Sequence, residues 1–372
     1  MRHIERLAST VFLLLLFLPL VCMNRQADAV SESENRALAP SPLQAAAEGS
    51  KLSSAVDAYI SDRLGFRNQM LTARRLLNAH VFRDSPDKRV IVGEDGWLFY
   101  HAEENGDGNT MHQYLGSFLY SEEQLQQIAE NLEQTRAYLA ARGCKFVLMI
   151  APNKETVYAD RMPTKYRLLR GENQSCTEQL ITYLRQHTDI RIVWPYEELM
   201  RFRREHPETD IYHRLDTHWN GLGGYIGAGA LLRELGIELP APGEEGFLRT
   251  ESDTGDLYTM MALPSLKMKD TDYVPYGYPF PTAEFTDGGF TGEWEYHSAD
   301  ADARRVVVCR DSFSSAMHVI LGSYFSYMDL CHVSSFQQEL IDEKKPDVFV
   351  KEIVERYEDQ LLTFCLQEEA HS

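Results

Sequence analysis

The chain has 372 residues, enough for one large domain or two moderate ones and for a full hydrophobic core. Hydrophobic residues make up 44% and charged residues 25%, ordinary globular proportions that argue against wholesale disorder, a collagen-like repeat or a multi-span membrane chain. The 37 Lys and Arg against 56 Asp and Glu give a formal charge of −19, so the chain lacks the global basic field that nucleic acid would need. Its six cysteines have neither the density of a disulfide scaffold nor C-x-x-C spacing, and no cofactor or metal is called for.

Arg2 and Arg6 precede an uncharged run from Leu7 to Asn24 with Val-Phe-Leu-Leu-Leu-Leu-Phe-Leu at its heart. This reads as an export segment. Two alternatives stand: a signal peptide cut after Ala27-Asp28-Ala29, or a retained membrane anchor with its basic end inside. Either places the bulk of the protein beyond the cytoplasmic membrane, periplasmic or extracellular. Residues 1–24 are thus leader or anchor, 25–50 a linker, and 51–372 the folded domain.

The spacing of Val56, Tyr59, Ile60 and Leu64 predicts a helix stopped near Gly65. Arg89-Val-Ile-Val and Trp97-Leu-Phe-Tyr flank the Asp95-Gly96 pair, which predicts a hairpin. Ser121-Glu-Glu-Gln124 is a capping box for a helix stopped at Gly143, and Lys145 to Ala151 is a buried strand ended by Pro152. Helices over Cys176–Gln186 and Gly223–Leu235 alternate with strands at Ile190–Val193, Arg305–Cys309 and Asp347–Ile353. The fold class is therefore α/β, three-layered, with a mostly parallel sheet. An irregular insertion is expected around 240–300.

Two motifs carry chemistry. In Leu215-Asp-Thr-His-Trp-Asn220 an extended backbone points Asp216 and His218 the same way, so the carboxylate can orient the imidazole as a general base, with Asn220 as the helix cap. In Arg310-Asp-Ser-Phe-Ser-Ser315 a strand, a tight turn and a helix follow in order. That geometry lifts Ser312 to the sheet edge, with its own amide available to an oxyanion. The bland readings are a structural histidine and an Asp311 or Ser312 helix cap. Together, nucleophile Ser312, base His218 and orienting Asp216 form a triad, whose base should give activity an acid limb near the ordinary histidine value of about 6.5.

Asn153 and Lys154, after a central strand, are candidates for an oxyanion donor and for a grip on an anionic sugar. Trp97, Tyr100, Trp194 and Trp219 are candidate sugar platforms, more often simply core. The cluster of His206, Asp210, His213, Asp216 and His218 also admits a metal reading, without a helix-face H-E-x-x-H pattern.

The sequence resembles the DHHW-type, AlgX- and AlgJ-like family of alginate O-acetylation proteins, whose domain is similar to the SGNH hydrolases. The resemblance rests on Ser-Glu-Ser-Glu-Asn-Arg at 31–36, Asp62-Arg-Leu-Gly-Phe-Arg67, Gly93-Glu-Asp-Gly-Trp-Leu-Phe-Tyr100, Asp216-Thr-His-Trp219 and Asp311-Ser-Phe313. It implies a circularly permuted hydrolase-like fold and acetyl transfer to extracellular polysaccharide through Ser312, with a membrane-bound O-acyltransferase supplying acetyl groups. Two departures stand out: Arg310 replaces the glycine of Gly-Asp-Ser, and Thr217 replaces the namesake histidine. The expected function is an exported serine-dependent O-acetyltransferase or acetylesterase, with Trp219 and Arg310 as further substrate-contact candidates. The alternative is a non-catalytic glycan-binding or assembly protein of the same fold.

Overall fold

A computed structural model of the chain describes residues 2–26, 30–31, 36–67, 69–70, 73, 85–242, 246–261, 268–275, 283–299 and 301–368. The Ala27-Asp28-Ala29 cleavage site and most of the 31–36 motif lie outside them. The chain divides into two compact units, residues 1–83 and 84–372. The first contains helices Arg2–Val21, Pro42–Ala47 and Leu52–Arg63. Buried Arg63 donates to the carbonyl of Ala39 at 2.8 Å. Among the described residues no helix is long and apolar enough to cross a membrane.

The second unit begins with the expected hairpin, β1 (Val90–Val92) and β2 (Leu98–Tyr100). Its turn places Asp95 at φ 52° and Gly96 at φ 81°, the left-handed region that an Asp-Gly pair supplies most readily. The main sheet then takes β3 (Lys145–Ala151) and β4 (Arg191–Val193). A separate hairpin, β5 (Phe247–Ser252) and β6 (Asp270–Pro275), precedes the remaining main-sheet strands β7 (Glu284–Asp287), β8 (Glu293–His297), β9 (Asp302–Arg310), β10 (Phe325–His332) and β11 (Val348–Val354). The seven-stranded order is β4-β3-β11-β9-β10-β8-β7, parallel as far as β10 and antiparallel through β8 and β7.

Both faces are covered, because the central strands are largely apolar, with Lys351 and Glu352 on β11 as buried exceptions, and side chains alternate across a strand. Phe146, Leu148 and Ile150 pack with helices α1 (Glu122–Ala140) and α2 (Cys176–His187), through Leu125, Ile128, Leu132, Leu180 and Leu184. Val147 and Met149 pack on the opposite face, which helix α3 (Gly221–Glu234) covers with Leu222, Tyr225 and Ile226. The capping box at Ser121 and Gln124 is present, and Asn220 caps α3 by accepting from the amides of Leu222 and Gly223, both at 3.1 Å.

The expected irregular insertion is corrected in part. Phe247–Ser252 pairs antiparallel with Asp270–Pro275, a short helix, Asp256–Met261, follows the first of these strands, and β7 and β8 extend the main sheet. The alternation of Glu293-Trp-Glu-Tyr-His297, with Trp294 and Tyr296 buried, is that of a half-buried antiparallel strand. Strand β10 has no counterpart in the sequence reading, since Ser326 and Asp329 interrupt its apolar run.

Helix α3 lies against the turn that follows β9. A Cβ added to Gly224 would stand 2.5 Å from both Cβ and the carbonyl oxygen of Ala316, and backbone cannot swing aside. Gly224→Ala is therefore expected to lower stability by about 1–3 kcal/mol, the usual cost of overpacking, as read by chemical denaturation.

Candidate active site

Tyr212 and Trp219 pair across a single bridge, and between them residues 213–218 form a loop in front of α3. Asp216 and His218 come together as expected, although residues 214–218 bend rather than run extended. Asp216 Oδ1 lies 2.6 Å from His218 Nδ1 and also accepts the His218 amide at 3.1 Å. The other ring nitrogen, Nε2, stands 2.8 Å from Ser312 Oγ. Burial pushes the Asp216 carboxyl up, but the hydrogen bond and charge of His218, with amides of Asp256 and His218, outweigh it and hold the group well below the usual carboxylate range.

Ser312 sits in a turn fixed by the residue before it. Asp311 Oδ1 accepts the Phe313 amide at 2.8 Å, and Oδ2 accepts the Val354 amide at 2.7 Å, tying the end of β9 to the end of β11. Asp311 is thus the helix cap, and the cap leaves Ser312 facing the base. Glu352 on β11 accepts from the Asp311 amide and from Ser314 Oγ, both at 2.9 Å. Trp219 Nε1 donates to the Phe313 carbonyl at 2.9 Å, joining the His218 loop to the Ser312 turn.

A cavity of about 470 Å³ opens beside these groups. Ser312 and His218 share its wall with Phe290, Val274 and Val319, all well exposed, and with Asp272 and His318. His318 accepts or donates a 2.7 Å bond with Tyr296 Oη, and burial, reinforced by the charge of Arg310, pushes its imidazole down to about 4. The cavity therefore presents a neutral imidazole at ordinary pH.

The remaining candidates fall elsewhere. Lys154 does not reach the cavity: it is fully buried, and its ammonium donates to the carbonyls of His213 at 3.1 Å, Arg214 at 3.4 Å and Asp216 at 2.5 Å. It supports the loop from beneath, and burial pushes its pKa down. Arg310 is likewise corrected from substrate contact to framework, since its guanidinium stacks 3.5 Å from the Trp294 ring centre and donates to the Phe290 carbonyl at 2.7 Å. Asn153 turns away from an oxyanion role, its amide donating to Gln113 at 2.9 Å. Trp97, Tyr100 and Trp219 are core, while Trp194 donates to Glu355 at 3.0 Å and stacks on Tyr196.

The proposed metal cluster separates: Asp210 pairs with Arg214 at 2.8 Å, His206 stacks on Phe202, and His213 faces Asp270 and Asp272. Sequence reading misses Asp256 and Asp270, which lie in the segment taken for irregular. Asp270 accepts the amides of Arg214 and Leu215 at 2.9 and 2.7 Å. No local pattern marks either residue, because their partners lie far away in sequence.

A model of the SGNH hydrolase-like domain of the acetyltransferase AlgX matches residues 90–275, half of the chain. The chain belongs to this family. The AlgX-type match includes Asp216 and His218 and stops short of Ser312, so the serine joins the site through its 2.8 Å approach to the base. The Probable alginate O-acetylase AlgJ of Pseudomonas syringae pv. tomato is 25% identical over 191 residues, covering 48% of this chain and 42% of that protein, so the match spans less than half of the relative's length. A DHHW family protein of Eubacterium siraeum shares the fold at a TM-score of 0.52 and 14% identity, over 75% of this chain and 99% of its own. PatB1 of Bacillus cereus does so at 0.53 and 14%, over 74% and 99%. The AlgX-type domain here is thus an SGNH hydrolase-like α/β fold.

Near Asn153, buried Glu355 accepts from the Asn153 amide, Thr156 Oγ1 and Trp194 Nε1, yet burial pushes its carboxyl up to about 8. A carboxyl raised in the folded state stabilises fully below its unfolded value and loses that contribution as pH rises toward its folded value. Stability should therefore fall between about pH 4.5 and 8, by at most about 1.4 kcal/mol per unit from this group. Glu355→Gln should flatten that part of a denaturation series; an unchanged slope would assign it elsewhere.

Proposed function

We propose that this protein is an exported serine-dependent O-acetyltransferase that acts on a polysaccharide through an acetyl ester on Ser312. The observation that carries the reading is the unbroken relay Asp216 Oδ1, His218 Nδ1, His218 Nε2 and Ser312 Oγ, with links of 2.6 and 2.8 Å. These distances are those of a nucleophile within reach of its base and a base held by an acid.

Ser312 Oγ attacks the carbonyl carbon of an acetyl donor while His218 Nε2 takes the hydroxyl proton. The tetrahedral adduct collapses, the bond to the donor oxygen breaks, and His218 returns the proton to that leaving oxygen. In the second half a sugar hydroxyl gives its proton to His218 and attacks the acetyl carbon. The Ser312 Oγ bond then breaks, and the proton returns to the serine. Asp216 remains ionised throughout and stabilises the imidazolium formed in each half. Water as acceptor would make the same cycle an esterase.

Polysaccharide as acceptor is supported by the family and by the alginate O-acetylase among the relatives. The exposed Phe290, Val274 and Val319 beside Ser312 offer an apolar wall to a sugar face. Export is supported by the basic and then apolar N-terminal segment, as leader or anchor, and the acetyl groups would come from a membrane-bound O-acyltransferase.

With p-nitrophenyl acetate as donor, Ser312→Ala is expected to lower turnover by about 10³-fold or more. Asp216→Asn should also slow it strongly, because the ring loses the carboxylate that orients it. Chelator should change nothing, because both ring nitrogens of His218 are already engaged. Equal turnover by the Ser312→Ala protein would overturn the nucleophile.

A further inference from the structure

Asp256 opens a short helix in the segment between β5 and β6, and its contacts converge on Asp216, Thr217 and His218. Its backbone amide donates to Asp216 Oδ2 at 2.9 Å, on the oxygen that His218 does not use. Its carboxylate takes Thr217 from two sides, Oδ1 accepting the Thr217 amide at 2.8 Å and Oδ2 the hydroxyl at 2.6 Å. Thr217 is only 5% exposed, and its Oγ1 lies 3.3 Å from His218 Nδ1. One residue therefore fixes the orienting acid through its main chain and clamps the residue between acid and base through its side chain.

We propose that Asp256 is a positioning residue of this site, holding the His218 ring on the Ser312 hydroxyl through Asp216 and Thr217. The proposal rests on the serine reading above. Two oxygens of Asp216 that both carry short hydrogen bonds leave the carboxylate no free rotation, so the imidazole it orients has a single plane. The Asp256 carboxylate also brings a second negative charge to the base, since an oxygen of it lies within 4.8 Å of the ligating atoms of Asp216 and His218. Metal coordination is a poorer use of these atoms, because Thr217 and the Leu257 amide at 2.6 Å already donate to the carboxylate. Asp256 is also the first residue of that helix, where an acid is favourable, so the competing role is support of the helix start alone.

The other charged groups around His218 come from separate elements and are untouched by changes at 256 or 217. Lys154 lies beneath the Asp216 carbonyl, and His213, Asp272 and His318 line the same cavity. Arg356 stands 5.3 Å from the centre of the Phe313 ring, which itself lies 5.0 Å from that of His218.

The test compares the full chain with Asp256→Ala, Asp256→Asn, Thr217→Val, Thr217→Ser and Ser312→Ala. Each protein is followed in p-nitrophenyl acetate hydrolysis across pH and by the low-field proton NMR signal of the His218 Nδ1–H. Asp256→Ala and Thr217→Val should lower kcat about 10- to 100-fold with KM little changed, the effect of a misplaced catalytic group. Asp256→Asn should lower kcat as well, because an amide has one accepting oxygen where the carboxylate uses two, one on the Thr217 amide and one on its hydroxyl. Thr217→Ser should retain the rate, and the low-field signal should weaken wherever kcat falls. Should Asp256→Ala fail to fold, Thr217→Val and Asp256→Asn decide. Folded variants that keep the kcat and the low-field signal of the parent would overturn the proposal and leave Asp256 a residue of the helix start only. If Ser312→Ala turns over the ester as fast as the parent, the nucleophile reading falls, and the low-field signal alone then decides for or against Asp256.

Discussion

The site depends on keeping a short irregular loop satisfied while it carries a charged relay at the edge of the core. Residues 213–218 belong to neither helix nor sheet, so their backbone amides and carbonyls need partners from elsewhere. Lys154 supplies donors to three carbonyls, Asp270 accepts two amides, and Asp256 accepts a third. An unmatched group at this depth would cost about 1–3 kcal/mol, and each would also loosen the ring it supports. The segment between α3 and β7 is therefore more than a decoration of the fold, because it contributes both aspartates.

A similar economy governs Ser312. Asp311 serves the turn and the sheet at once, one oxygen on the Phe313 amide and the other on the Val354 amide. The position of Ser312 is thereby referred to two adjacent parallel strands. Arg310, which precedes the turn, sets its guanidinium over the Trp294 ring and donates to the Asp311 carbonyl at 3.4 Å. Its side chain is thus bonded to the turn it introduces.

The elements legible in the sequence are those with local causes. The capping box at Ser121, the Asp95-Gly96 turn and the apolar run at Lys145–Ala151 each specify their structure within a few residues. Asp216 and His218 were readable because residues two apart can meet within one short segment, although the loop that carries them bends where the spacing suggested extended chain. Lys154 and Asn153 misled because a polar residue after a central strand has two destinations, the ligand or the framework, and only the distant loop at 213–216 decides between them. Asp256 had no signature for the same reason: its partners lie about forty residues away.

The span between base and nucleophile has a consequence for the order in which reactivity arises. His218 and Ser312 are 94 residues apart in the chain, and the turn that presents the serine is held by Val354 and Glu352 on the final strand. In a chain growing from its N-terminus, the loop and its aspartates exist well before the strand that seats the hydroxyl. Long-range pairing of this kind forms late, after the loop-closure entropy has been met. In any state short of the completed sheet Ser312 is thus without its place opposite His218, and the geometry proposed for catalysis becomes a property of the whole domain that no fragment of it possesses.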